Sequence, residues 1–201
     1  MKALLENIIK AKERELGRRV RVGLIGLGST NRALLGLLTE IGGIEITVRD
    51  IRGRMDGIPD TVAVKPSLEP LDEDILFPSP SVRRENLHLP AGATFLTDYD
   101  LLFANMPRHL FTVSGSDGKS TTVDMASRLL APRFPDLFTG GNLGTPLWRA
   151  SLGSRAFLLE LSSFTLRYST PRAGRALLTN VTPNHLDWHA SLEEYNETKL
   201  S

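Results

Sequence analysis

Leu110-Phe111-Thr112-Val113-Ser114-Gly115-Ser116-Asp117-Gly118-Lys119-Ser120-Thr121 is a short apolar run that breaks into glycine and serine and then opens a helical pattern. The run predicts a buried strand at 110–113, and the spacing that follows predicts a helix from about Lys119 to Leu130. Between them, small residues let backbone N–H groups close on phosphate oxygens, and the helix start adds the positive end of its dipole. Lys119 offers a point charge to β and γ phosphates, and the Ser120 hydroxyl can join a Mg²⁺ shell. Gly115, Ser116, Asp117, Gly118 and Thr121 complete the nucleotide-binding run. The common phosphate loop has its first glycine where Val113 stands here, so this is a shorter G-x-x-G-K-S form. A glycine-rich hairpin beside an exposed lysine is the competing reading, and the strand–loop–helix order speaks against it.

Downstream, Phe157 to Leu161 and Ala176 to Val181 predict two further buried strands of a parallel sheet. Three segments fall where such strands end. Gly140-Gly141-Asn142-Leu143-Gly144-Thr145-Pro146 reads as a flexible loop with one amide able to orient a ligand. Glu160-Leu161-Ser162-Ser163-Phe164 ends a strand with a carboxylate, suited to Mg²⁺ beside a phosphate loop. Thr179 to His189 brings His185 and Asp187 to a third strand end. A lone Glu160 is more often a salt-bridge partner, and a lone His185 a packed or surface histidine. Behind a phosphate loop the combination favours a site.

Upstream, Val20 to Ile25 predicts a buried strand, residues 30–41 a helix with Ala33, Leu34, Leu37, Leu38 and Ile41 on one stripe, and Ile44 to Val48 a second strand ending at Asp50. This β-α-β unit favours a parallel sheet. Its turn, Gly26-x-Gly28-x-x-Asn31, resembles a dinucleotide fingerprint with Asn31 in place of the third glycine. A tight turn without ligand competes equally; otherwise the turn suits the phosphates and sugar of a nucleotide better than NAD. Six of the 12 prolines fall in residues 56–92, leaving room for short strands such as Ile75 to Phe77. The expected organisation is α/β: a Rossmann-like domain over 1–106, then part of a phosphate-loop ATPase-like domain with a parallel sheet over 107–201.

The whole chain has 201 residues, with 24 Lys plus Arg against 23 Asp plus Glu, a net charge of +1. Near-neutrality argues against nucleic acid as a partner. Hydrophobic residues make up 41% and charged ones 23%, an ordinary globular balance. No apolar run has the length of a membrane span, and the charged N-terminus does not read as a secretory signal. The absence of cysteine excludes disulfides and thiolate chemistry and fits a cytoplasmic location. Residues 1–21 carry seven basic and three acidic side chains, 7 − 3 = +4, with Leu4, Leu5, Ile8, Ile9 and Leu16 at helical spacing. They predict a packed helix with a solvated basic side.

The phosphate loop, Gly-Gly-Asn-Leu-Gly-Thr-Pro, Glu-Leu-Ser-Ser-Phe, Asn180-Val-Thr-x-x-His-Leu-Asp and Glu194-Tyr195-x-x-x-Lys199-Leu, in that order, resemble the Mur ligase family. The likeness runs from about Val20 to the end and is strongest to the member that adds D-glutamate to UDP-N-acetylmuramoyl-L-alanine. It implies an ATP-dependent amide ligase acting through an acyl phosphate. Lys119, Glu160, His185 and Lys199 would be catalytic, with Ser120 and Glu160 on one Mg²⁺ and His185 on a second. Lys199 matches the family's lysine that takes up CO₂ as a carbamate and so becomes an anionic metal ligand. Asn142, Ser162 and His185 would contact the muramoyl-alanine arm, and Gly28, Ser29, Thr30, Asp50 and Arg52 the UDP part. Two departures stand out: Ser79-Pro80-Ser81 replaces a Ser-Pro-Gly element, and Asp50-Ile51-Arg52 an Asp-Thr-Arg run. The family continues past the lysine, so the chain is expected to be an inactive, monomeric N-terminal part, with a strand edge exposed and Lys199 mobile and solvated. Another Mur-type or folylpolyglutamate-type ligase, or a non-catalytic UDP-precursor-binding module, is the alternative.

Overall fold

The computed structural model describes residues 1–53, 55–105, 107–142, 144–150, 154–169 and 174–200. They form two compact units, Met1–Asp98 and Tyr99–Ser201.

In the first unit, α1 (Lys2–Leu16) precedes β1 (Arg21–Ile25), α2 (Ser29–Ile41) and β2 (Glu45–Arg49). β3 (Ala63–Lys65), β4 (Ile75–Pro78) and β5 (Thr94–Phe95) complete a sheet of order β3-β2-β1-β4-β5. Every pairing is parallel. β1 is central, which accounts for its near-complete burial, whereas a one-sided strand would alternate. Leu34, Leu35 and Leu38 turn one face of α2 inward, and Leu5 and Ile9 do the same for α1. Around Ile25 and Leu76 a core gathers from the proline-rich region, with Leu71 and Leu87 buried and Leu68, Val82 and Leu89 packed on it.

Buried charge also shapes this unit. The Arg49 guanidinium, 1% exposed, donates from Nε to Glu73 Oε1 at 2.8 Å, and its Nη2 reaches Asp72 Oδ1. Asp74 accepts both terminal nitrogens of Arg18, at 2.8 and 2.6 Å, and the Arg21 backbone N–H at 2.8 Å. The segment 72–74 is thereby tied to β1 and β2 just before β4 begins.

The second unit takes in α3 (Asp98–Ala104) from Tyr99 onward. Its Tyr99 is buried and the hydroxyl points at the Glu160 carbonyl, 3.5 Å away. The division therefore falls at 98/99, where the sequence placed it at 106/107. β6 (His109–Ser114), α4 (Lys119–Leu130), β7 (Phe138–Gly141), β8 (Ala156–Glu160), α5 (Ser163–Tyr168), β9 (Arg175–Leu178) and α6 (Leu192–Leu200) follow. The sheet order is β7-β8-β6-β9, all parallel. Val113, Val123 and Leu158 centre the core between α4 and the sheet. Both tryptophans, Trp148 and Trp188, belong to this unit.

Two expectations need correction. Gly140 and Gly141 are not all loop: they end β7, in register with Leu159 and Glu160. β9 is a strand but not a buried one, with all four residues exposed and Leu177 and Leu178 at 51% and 38%. Its apolar side chains read as core, yet it lies at the sheet edge, where only β6 pairs with it among the described residues.

Candidate active site

Register brings the second unit's chemistry together. Val113, Gly141 and Glu160 lie level at the C-terminal ends of β6, β7 and β8. The loop leaving β6 thus faces the Glu160 carboxylate directly, the edge where parallel sheets gather ligands. Ser120, on the first turn of α4, donates to Glu160 Oε2 at 2.9 Å, and Asn142 Nδ2 lies 3.3 Å from Oε1. Glu160 is 2% exposed. A buried carboxylate is costly without a cation or donors, and here two side-chain donors meet it.

The glycine loop after β6 is folded on itself and clamped by the segment that follows β9. Lys119 Nζ donates to Gly115 O at 2.8 Å and Ser116 O at 2.7 Å. Ser116 N–H donates to Asn180 O, and Asp117 N–H to Asn180 Oδ1 at 2.9 Å. Thr179 Oγ1 and Asn180 Nδ2 donate to Asp117 O. Gly115 sits at φ +143°, and a Cβ there would collide with Thr179 Oγ1. No side chain caps α4, so its first N–H groups remain suited to an anion.

Lys199 is buried rather than solvated. It is 7% exposed and donates from Nζ to Gly115 O at 2.8 Å and to Ser114 Oγ at 3.3 Å. α6 folds back against the loop, so position near the chain's last residue does not leave this side chain in water. Burial, with the neighbouring Lys119 charge, pushes its ammonium down to about 8, against the pull of Glu160.

The remaining residues separate. Ser162 caps α5, its Oγ accepting the Thr165 N–H at 3.1 Å. His185 is exposed, has φ 52° and packs its ring at a tilt against Phe164, centroids 5.0 Å apart. Among the described residues it makes no hydrogen bond to Ser120 or Glu160, and no three or more His, Asp or Glu side chains are placed together so as to hold a metal ion. Leu143 lies outside the described residues.

In the first unit a cleft of about 410 Å³ opens between the ends of β1, β2 and β4. Gly28, Asp50 and Arg52 line it, together with Ile51, Ser79 and Ser81. Ser29 and Thr30 open α2 and are not in the lining. Asp50 Oδ2 accepts the Leu27 N–H at 2.8 Å, while Arg52 closes a two-point pair on both oxygens at 2.9 and 2.7 Å. Arg52 holds the Asp50 carboxyl far below the usual carboxylate range, helped by the Leu27 and Arg52 N–H groups and opposed by burial. Asn31, in the third-glycine position, donates to Gly26 O at 2.8 Å and Phe77 O at 3.0 Å. Its amide stitches the end of β1 to β4, a bond that a glycine there could not make.

Reading the sequence missed Thr179, Thr182 and Tyr195 as partners of the loop, and Ile51, Ser79 and Ser81 as cleft lining. Tyr195 carried a signal, being four residues before Lys199 on one helix. Ser79 and Ser81 were visible only as a departure from a pattern.

Residues 113–201 match the Mur ligase middle domain. The chain is 32% identical over 197 residues to UDP-N-acetylmuramoylalanine--D-glutamate ligase of Thermotoga sp. (strain RQ2), covering 90% of this chain and 46% of that protein. It is 31% identical over 194 residues to the ligase of the same name from Clostridium botulinum (strain Loch Maree / Type A3), covering 87% and 42%. The chain spans about half the length of the curated relatives it matches. The solved UDP-N-acetylmuramate:L-alanyl-gamma-D-glutamyl-meso-diaminopimelate ligase of Neisseria meningitides aligns at TM-score 0.47 and 20% identity, over 90% of this chain and 66% of that one. A superposition of that extent carries no functional weight. Residues 113–201 thus carry a Mur ligase middle domain, and the chain as a whole is similar to ligases that share one name.

Proposed function

We propose that the chain serves an ATP-dependent ligase that joins D-glutamate to UDP-N-acetylmuramoyl-L-alanine in peptidoglycan precursor synthesis. The observation that carries the reading is the Ser120–Glu160 pair at 2.9 Å, facing a glycine loop whose lysine is folded onto its own carbonyls. A carboxylate is a poor electrophile, and ATP would convert the substrate's carboxylate to an acyl phosphate that the D-glutamate amine attacks. Lys119 would leave Gly115 O and Ser116 O to meet the phosphates, spreading charge that develops in the transfer.

The Ser120 hydroxyl and Glu160 carboxylate are hard oxygen donors and fit Mg²⁺, which would neutralise phosphate charge when bound. For a second ion the resemblance offers His185 and Lys199. The burial of Lys199 beside Lys119 favours its neutral amine, the form that takes up CO₂ to give an anionic carbamate oxygen. Asn142 would hold the muramoyl-alanine arm from beside Glu160. Ser162 has a capping role that competes with substrate contact. In the first unit Arg52, backed by Asp50, would meet the diphosphate above the Gly26–Gly28 turn. The protein would act in the cytoplasm on small molecules, without nucleic acid or membrane; no described helix is long and apolar enough to cross a membrane.

Calorimetry of the chain with UDP-N-acetylmuramoyl-L-alanine, with a folate, and with ATP plus Mg²⁺ tests the reading. Saturable binding of the first and third and none of the second is expected. A chain that binds the folate and not the UDP precursor belongs to the folylpolyglutamate type instead. Binding of the precursor with no binding of ATP would favour the non-catalytic module.

A further inference from the structure

Tyr195 stands one turn before Lys199 on α6, so both side chains leave the same helix face. It is 0% exposed, and its hydroxyl lies 2.6 Å from Ser116 Oγ. The direction of that bond follows from its surroundings. Ser116 Oγ gives its single proton to Thr182 O at 2.8 Å and accepts the Thr182 N–H at 2.8 Å. The Tyr195 O–H is therefore the donor, and every position on the serine oxygen is used. One turn on, Lys199 Nζ lies 5.6 Å from the Tyr195 ring centroid and donates to Gly115 O. Two successive turns of α6 thus grip two successive residues of the phosphate loop. His189 packs edge-on against the same ring at 5.2 Å. A purely apolar role would be met by phenylalanine, whereas here the hydroxyl is aimed at the loop.

We propose that Tyr195 is a positioning residue: through Ser116 it holds the glycine loop in its phosphate-receiving shape, and through α6 it keeps Lys199 against that loop. This rests on the loop being a nucleotide site. Tyr195 itself touches neither phosphate nor reacting atoms. Its effect is to make loop shape and Lys199 position change together rather than independently.

The test is Tyr195→Phe in the full 201-residue chain, which keeps the ring and removes the donor. Two quantities are read: ATP affinity by calorimetry with Mg²⁺, and the acetylation rate of Lys199 by an amine-reactive ester, mapped by mass spectrometry with exposed Lys10 as internal reference. Affinity should fall about tenfold, the scale of one lost hydrogen bond. Lys199 should label severalfold faster relative to Lys10, without a matching rise at Lys12, which is buried in the other unit. Ser116→Ala removes the acceptor and should reproduce the pattern, which decides the matter should Tyr195→Phe fail to fold. Combining both should cost little more than the worse single change, because the same bond is lost once. Unchanged affinity and unchanged Lys199 labelling in the variants overturn the proposal. If the unaltered chain binds no ATP, the nucleotide reading falls, while the labelling still decides whether Tyr195 holds Lys199.

Discussion

Lys119→Ala removes the ammonium around which the glycine loop is folded, without touching the apolar core. ATP binding should be lost, and in a turnover-competent ligase carrying this segment the transition state should lose about 3–4 kcal/mol, as when an oriented charge-stabilising donor is removed. Isothermal titration and phosphate release measure the two, and near-normal values would take Lys119 out of the mechanism. Arg49 makes a different prediction, for stability. Arg49→Met leaves Glu73, 2% exposed, as a buried carboxylate stripped of its guanidinium. Breaking such a pair costs about 3–5 kcal/mol, so urea denaturation should show a large drop in the first unit. Arg49→Met with Glu73→Leu should recover much of it, since the penalty lies in the orphaned charge. Both residues sit far from the loop in sequence, and neither advertised its role there: an arginine ending a strand and a glutamate in an acidic run look like surface.

Elements reveal themselves in sequence in proportion to their length and regularity. β1, α2, β2, β6 and α4 were legible because apolar periodicity persisted over several residues and glycine marked each turn. β3 and β5 have three and two residues, too few for alternation to register, and β7 ends in two glycines that read as loop. The burial of β9 was misjudged because Leu177 and Leu178 are core residues by type, while sheet position is a non-local property. The site divides the same way. The loop and Glu160 are strand ends, which a local pattern can place. The clamp from Thr179 to Thr182 and the grip of α6 join segments more than 60 residues apart, for example Ser116 to Thr182. Gly115→Ala tests the clamp at this scale. Its φ of +143° is hostile to a side chain, and the new methyl would drive Thr179 from the loop. Backbone strain of this type costs about 1–3 kcal/mol, readable as a lowered melting temperature. A variant as stable as the parent would mean that β9 and the loop are not held together as described.

For the whole molecule, acid is the informative stress. Asp74 is pushed up by burial, but the Arg18 hydrogen bonds, the Arg21 N–H and the Arg21 side chain outweigh this and leave it at about 2, below its ordinary 3.8. A depressed folded-state value means stability that is fully present above the unfolded value and lost as pH falls through the folded one. Stability of the first unit should therefore be flat from neutral pH to about 4 and decline between about 4 and 2. Asp50, depressed mainly by Arg52, adds to the decline in the same direction. Far-ultraviolet circular dichroism in urea at a series of pH values checks this, and Asp74→Asn should make the profile shallower while lowering the neutral-pH plateau. A decline centred above pH 5 would show that other groups control acid unfolding. The placement of Trp148 and Trp188 then acquires a practical meaning. Both indoles lie in the second unit, so emission follows that unit while ellipticity follows both, and an acid titration should lose ellipticity before the emission maximum shifts if the first unit gives way first. The two spectroscopies, run on one unlabelled sample, would resolve the units as separate melting events.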